Sequence, residues 1–253
     1  MERDYDFLET PLSYSIDSIY EDEFNRNELS KNQEEDTSYI LSEIQDKFLK
    51  NKLSQIQTEY LSNVSNIFSR IIDSYNQLLF TRNFIDYEPD PGLLLDLERN
   101  HGEYLAYHMQ VFYVKIVTIA EQIVILINAV YNLGIPEKRL SDRTVDENKH
   151  TKDTEANQLL KKLLKLIPKE KRNLIVHRGI FKHKSIEDLT TLHFKEEYGN
   201  ELSYPNIGIE EQLEKTKIEC LTEMDTILSE TKKILISIFE SLDEIFNEKI
   251  EHL

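Results

Sequence analysis

Apolar residues along this chain recur every three or four positions rather than every second one, which is the spacing of a helix face and not of a strand. The pattern sets in at "DTSYIL", where Asp36 or Thr37 can cap a helix N-terminus. Leu53, Ile56, Tyr60, Val64, Ile67, Ile71, Tyr75, Leu78 and Leu79 then form one stripe that ends near residue 82. Pro89, Pro91 and Gly92 in "DYEPDPGLL" interrupt it. A second long helix is predicted over 94–133, most apolar in its second half, with Gly134 and Pro136 of "NLGIP" as its stop signals. Residues 137–153 carry no apolar period and read as a loop. "TEANQLLKKLLKLI" gives a further helix, and Pro168 starts a short one that ends at Gly179.

After a mixed stretch, 182–208, the last helix begins near Ile209. Leu213, Leu221, Met224, Leu228, Leu235, Ile238, Leu242 and Ile245 make its stripe. Some forty residues of helix reach roughly 60 Å at 1.5 Å per residue. That is longer than a small bundle needs, so the helix also offers a dimer surface. The expected fold is all-α, a bundle of four or five main helices with a long C-terminal helix. Residues 37–253 make the bundle domain and residues 1–36 an acidic, partly irregular extension.

Composition supports this picture and narrows the class. The 253 residues include only six Gly and six Pro, too few for a chain of tight turns, while 40% are apolar, enough for a substantial core. The most apolar stretch, "VFYVKIVTIAEQIVILINAVY", contains Lys115, Glu121 and Gln122 and reads as a buried helix rather than a membrane span. "MERDYDFLET" has no apolar signal region. The single cysteine, Cys220, excludes an intrachain disulfide and a cysteine metal cage, which suits a reducing compartment. The expectation is a soluble cytoplasmic protein without a membrane partner.

A net charge of −17 argues against nucleic-acid binding until its distribution is considered. Residues 1–45 hold thirteen acids against three basic residues, and residues 195–253 hold fifteen against six. Between them, residues 161–184 carry nine basic residues against one acid, Glu170. The positive charge is concentrated in one island.

Inside that island lies "PKEKRNLIVHRGIF". With Arg172 at 0° on a helical wheel, Asn173 falls at about 100° and His177 at about 140°, with Leu174 and Ile175 at about 200° and 300°. Arg172, Asn173 and His177 thus share a sector, opposite apolar residues that can dock into a bundle. An imidazole can exchange a proton near neutrality, and a guanidinium fork fits phosphate oxygens. The simpler reading is a helix end: His177 and Arg178 before Gly179 offset the negative end of the dipole. Two further Arg-to-His spacings occur, Arg143 to His150 in polar sequence and Arg178 to His183 across the Gly179 break. Only Arg172 to His177 lies in a bounded helix pattern.

"RNLIVH" resembles the Arg-Asn-x-x-x-His motif of the HEPN superfamily. The resemblance implies a dimerising helical bundle. It also implies metal-independent endoribonuclease activity of the kind found in toxin–antitoxin, abortive-infection and CRISPR systems, and a composite site built from two facing copies. By resemblance, Arg172 binds phosphate, Asn173 is the polar residue that follows it, and His177 is the acid/base; an asparagine there can orient the imidazole or bind the ligand. Lys169, Lys171, Arg178, Lys182 and Lys184 are the accompanying phosphate-binding candidates. No cofactor or metal is implied. The partners implied are RNA, a second copy and an antitoxin or other protein. The alternative is a catalytically silent HEPN-like scaffold or interaction module.

Other constellations carry less. Glu98-x-x-His101 and Glu147-x-x-His150 have the spacing of di-iron bundles, but Gly102 follows the first and no apolar face accompanies the second. His101 and His108 stand on one helical face, as packed core histidines often do.

Overall fold

Helix α1, Gln55–Asp86, follows from its stripe: Tyr60, Val64, Ile67, Ile71, Tyr75 and Leu78 are all buried. The computed structural model describes residues 53–87, 100–167, 181–198 and 208–253. After α1 come α2 (His101–Val130), α3 (Asp142–Glu147), α4 (Glu155–Lys165), α5 (Lys184–Tyr198) and α6 (Ile209–His252), with a 3₁₀ turn at Glu137–Arg139. There is no strand among the described residues, and the all-α class stands. The acidic extension 1–36, the Asp36/Thr37 cap, the break at Pro89–Gly92 and the helix expected from Pro168 to Gly179 lie outside the described residues.

One local expectation is corrected and another filled in. Residues 137–153 are not simply a loop, since α3 lies within them. The helix is only six residues long and buries one side chain, Val145. It is specified by its cap: Ser141 Oγ accepts from the Thr144 amide while Thr144 Oγ1 accepts from the Ser141 amide. The mixed stretch 182–208 contains α5, in which Ile186 and Leu189 are buried among the side chains described. Too few apolar residues contribute to either helix for a period to show.

The described residues fall into two compact units. The first comprises 53–72, 121–161 and 234–253. Its core joins Tyr60, Leu61, Val64 and Phe68 of α1 to Ile123 and Ile127 of α2 and to Leu235, Ile238, Phe239 and Phe246 of α6. Tyr60 stacks on Phe246 at 5.8 Å and donates its hydroxyl to the Val130 carbonyl at 2.9 Å. Gln57 Nε2 donates to the Ile250 carbonyl at 2.7 Å. The start of α1 thereby satisfies open carbonyls at the last turns of both α2 and α6. Asn132, at φ 50°, closes α2: its amide bonds the Ala129 carbonyl and the Leu133 amide bonds the Asn128 carbonyl, each at 3.0 Å. The left-handed residue that ends the helix is this asparagine, two positions before Gly134.

The second unit comprises 73–87, 100–120, 162–167, 181–198 and 208–233. Met109, Phe112, Tyr113 and Ile116 of α2, Tyr75 and Leu78 of α1, Leu189 of α5 and Cys220 and Met224 of α6 are its buried core residues. Arg82 reaches the Asp225 carboxylate with Nε at 2.9 Å and a terminal nitrogen at 3.0 Å. Gly102 is needed where α2 approaches α5, because a Cβ there would lie 2.4 Å from Thr190 Oγ1. Among the described residues α2 alone is long and apolar enough to cross a membrane, yet half of its most apolar window is buried inside the fold.

The long C-terminal helix runs as expected, 44 residues from Ile209 to His252. Its inner face at the N-terminal end is displaced from the apolar stripe. Gln212, Thr216 and Cys220 are buried there. Thr216 Oγ1 donates to the Ser185 carbonyl at 3.2 Å and Gln212 Nε2 donates to Thr216 at 3.3 Å. These polar groups can be buried because they are hydrogen-bonded.

Candidate functional site

Two carboxylates one turn apart on α6 organise a polar cluster in the second unit. Glu223 accepts the Tyr113 hydroxyl with one oxygen and lies 3.3 Å from His183 Nε2 with the other. Glu219 accepts the Ser185 hydroxyl. Helical geometry puts Thr216, Glu219 and Glu223 on adjoining turns, so one face of α6 holds the start of α5 at His183 and Ser185. The Phe181 ring packs on Tyr113 at 5.8 Å and lies parallel to His183 at 6.2 Å.

Burial, then the hydrogen bond to Glu223, pushes the Tyr113 phenol far above its ordinary value, so it stays a proton donor throughout the physiological range. The His183 side chain is 15% exposed. Its Nδ1 is buried and has no hydrogen-bond partner. The cluster opens on a groove of about 590 Å³, with Tyr113, Glu219, Glu223, Thr222 and Thr226 as polar lining and Leu166, Ile218 and Ile227 as apolar wall.

Of the residues singled out from sequence, Arg172, Asn173, His177, Lys169, Lys171 and Arg178 lie outside the described residues. Lys182 and Lys184 are described, and both are exposed on either side of His183. Within the same basic island Lys162 and Lys165 are exposed on α4, whereas the Lys161 ammonium is paired with Asp146. That hydrogen bond, with a second from Asn157, holds the Asp146 carboxyl below its usual range. Sequence spacing matched His183 only to Arg178. Its partner, Glu223, lies on another helix, and no linear signal connects the two.

The histidines of α2 are both half-buried among other rings. His101 stacks on His193 at 5.9 Å. His108 sits among Tyr104, Tyr107 and Phe84 at 4.4, 5.2 and 5.3 Å, and burial lowers its pKa from 6.5. No group of three or more potential metal ligands occurs among the described residues.

The described residues form helices and no strand, the class of an all-α bundle. The family model for Cthe2314-like HEPN matches residues 47–248, and the chain belongs to that family. It is therefore an HEPN-type nuclease or a related scaffold. No curated protein and no solved structure matches it.

Proposed function

We propose that this protein is a metal-independent endoribonuclease that acts in the cytoplasm as a homodimer, in the manner of a toxin or phage-defence effector held in check by a protein partner. The observation that carries this reading is the Arg172-Asn173-x-x-x-His177 pattern in a chain that belongs to an HEPN family. His177 takes the proton of the ribose 2′-hydroxyl. The 2′-oxygen attacks phosphorus, the bond to the 5′-oxygen breaks, and that oxygen leaves with a proton, giving a 2′,3′-cyclic phosphate. Arg172 holds the phosphorane oxygens through its fork, Asn173 orients the imidazole, and Lys169, Lys171, Arg178, Lys182 and Lys184 supply the positive field. The exposure of Lys182 and Lys184 supports that assignment.

A second reading, a catalytically silent scaffold, is favoured by the aromatic surface of the second unit. Phe80, Phe84, Tyr87 and Tyr107 are exposed on α1, just beyond its end and on α2, as at protein interfaces. Cleavage of total RNA in EDTA at pH 7.5 by wild type, Arg172→Ala and His177→Ala separates the two. Cyclic phosphate ends made only by the wild type, with both variants folded, support the nuclease. Equal inertness of all three supports the scaffold.

A further inference from the structure

We infer that two copies of this chain meet through the uncharged aromatic face that the end of α1 and the first half of α2 present in the second unit. The inference rests on the homodimer of the reading above and assigns the surface that joins it. Phe84 and Tyr107 both pack on His108, at 5.3 and 5.2 Å, and the Tyr104 hydroxyl donates to the Phe84 carbonyl at 2.7 Å. Phe84 and Tyr107 therefore belong to one patch. Phe80 lies one turn before Phe84 on α1, Tyr87 just beyond the helix end, and Val114 two turns after Tyr107 on α2. All five side chains are exposed, Tyr87 at 73% and Tyr107 at 63%.

The patch stands out for its charge as much as for its rings. Residues 104–114 hold no Asp, Glu, Lys or Arg, and neither do residues 74–81. In a chain of which 30% is charged, a run as long as 104–114 would carry about three such groups. Burial among the rings keeps His108 neutral at pH 7. Arg82, between Phe80 and Phe84 in sequence, is already held by Asp225 and Asp86, so it offers little to a polyanion such as RNA. A second copy is the partner this face fits. Two chains of net charge −17 repel each other, and they do so least where both surfaces are uncharged. A two-fold contact also uses the patch twice. At about 200 Å² for each ring, the exposed parts of the four rings hold roughly 450–500 Å² per copy. Two copies together reach about 1,000 Å², where a specific interface begins. Tyr87 and Tyr107 carry hydroxyls that suit its rim.

Sedimentation equilibrium of the full-length chain provides the test. Wild type is expected at twice its 29.9 kDa, and added salt should not dissociate it, because opposite charges do not hold such a contact. Tyr107→Glu and Phe84→Glu each bring a carboxylate from both copies into the contact. Either should raise the dimer dissociation constant by about 100-fold or more. Phe194→Glu adds the same charge at an exposed ring of α5 and should leave the dimer nearly as tight as wild type. Tyr107→Ser, without the added charge, serves if the glutamate variants do not fold. A dimer that persists in the α1 and α2 variants, that Phe194→Glu weakens equally, or that salt dissociates overturns the assigned face and leaves the homodimer standing. A wild type that stays monomeric at every concentration overturns both. Cleavage of RNA by that same preparation then shows whether the nuclease chemistry survives without a dimer.

Discussion

The Tyr113 hydroxyl of α2 donates its proton to the Glu223 carboxylate of α6, which also faces His183 Nε2 at 3.3 Å. One carboxylate thus ties three segments of the second unit together. Tyr113→Phe keeps the ring in the core and removes the donor alone. Glu223 is 31% exposed and keeps its contact with His183, so the loss should be modest, about 1–2 kcal/mol. In a chain of this size that lowers the melting midpoint by about 2–4 °C per kcal/mol. A double-mutant cycle with Glu223→Gln should show coupling between the two positions. Strictly additive midpoints would deny that the hydroxyl and the carboxylate support each other.

Gly102 sits one residue into α2, where alanine would usually be the better helix former by about 1 kcal/mol. Here a Cβ meets Thr190 Oγ1 at 2.4 Å and the Thr190 amide nitrogen at 3.3 Å. Thr190 Oγ1 is tied to the Ile186 carbonyl at 2.9 Å, and its side chain is too short to swing aside. Gly102→Ala should therefore destabilise by about 1–3 kcal/mol against the propensity trend. Adding Thr190→Ala should restore part of the loss. Urea titration decides the point, and a Gly102→Ala protein as stable as wild type would show that α2 and α5 do not approach so closely.

Where many apolar side chains repeat, the sequence and the structure agree. The α1 stripe from Tyr60 to Leu78 and the length of α6 were both legible. The register failed where polar groups do the packing: Leu213 and Leu221 were expected inside the first turns of α6, yet Gln212, Thr216 and Cys220 hold the buried positions. Thr216 is compensated by a hydrogen bond across to the Ser185 carbonyl and Gln212 by one to Thr216, and no hydropathy pattern encodes such partners. The candidate site divides in the same way. Arg172 and His177 could be picked out because they share one short segment. Tyr113, His183 and Glu223 belong to separate elements, and only the fold brings them together.

His108 gives the protein an acid-sensitive element. Burial among Phe84, Tyr104 and Tyr107 holds its pKa below 6.5, so the folded chain resists protonation where the unfolded chain accepts it. The unfolded state then binds more protons, and stability falls as pH drops below about 6.5, levelling off below the folded pKa. Asp146, with its carboxyl held low, acts in the same direction but only further down, near and below 3.8. His108→Phe and His108→Gln should each show a smaller drop in melting midpoint between pH 7 and pH 5 than wild type. The same drop in all three proteins would place the acid sensitivity elsewhere.

The basic island makes a prediction that separates cations by their local partners rather than by their number. Lys182 and Lys184 are exposed, whereas the Lys161 ammonium is engaged by Asp146. If single-stranded RNA is the ligand, each exposed lysine that touches a phosphate contributes about 0.7 to the slope of log affinity against log salt. Lys182→Ala and Lys184→Ala should therefore each flatten the salt dependence by about that amount, weakening all RNA sequences alike. Lys161→Ala should leave the slope unchanged, because its charge is already offset by Asp146 and it has few counterions to displace. Binding isotherms between 50 and 200 mM salt, at about these limits, provide the measurement. Three identical slope changes would mean that RNA feels only the overall charge of the island. No change at Lys182 or Lys184 would remove them from the phosphate path and leave that role to Lys169, Lys171, Arg172 and Arg178.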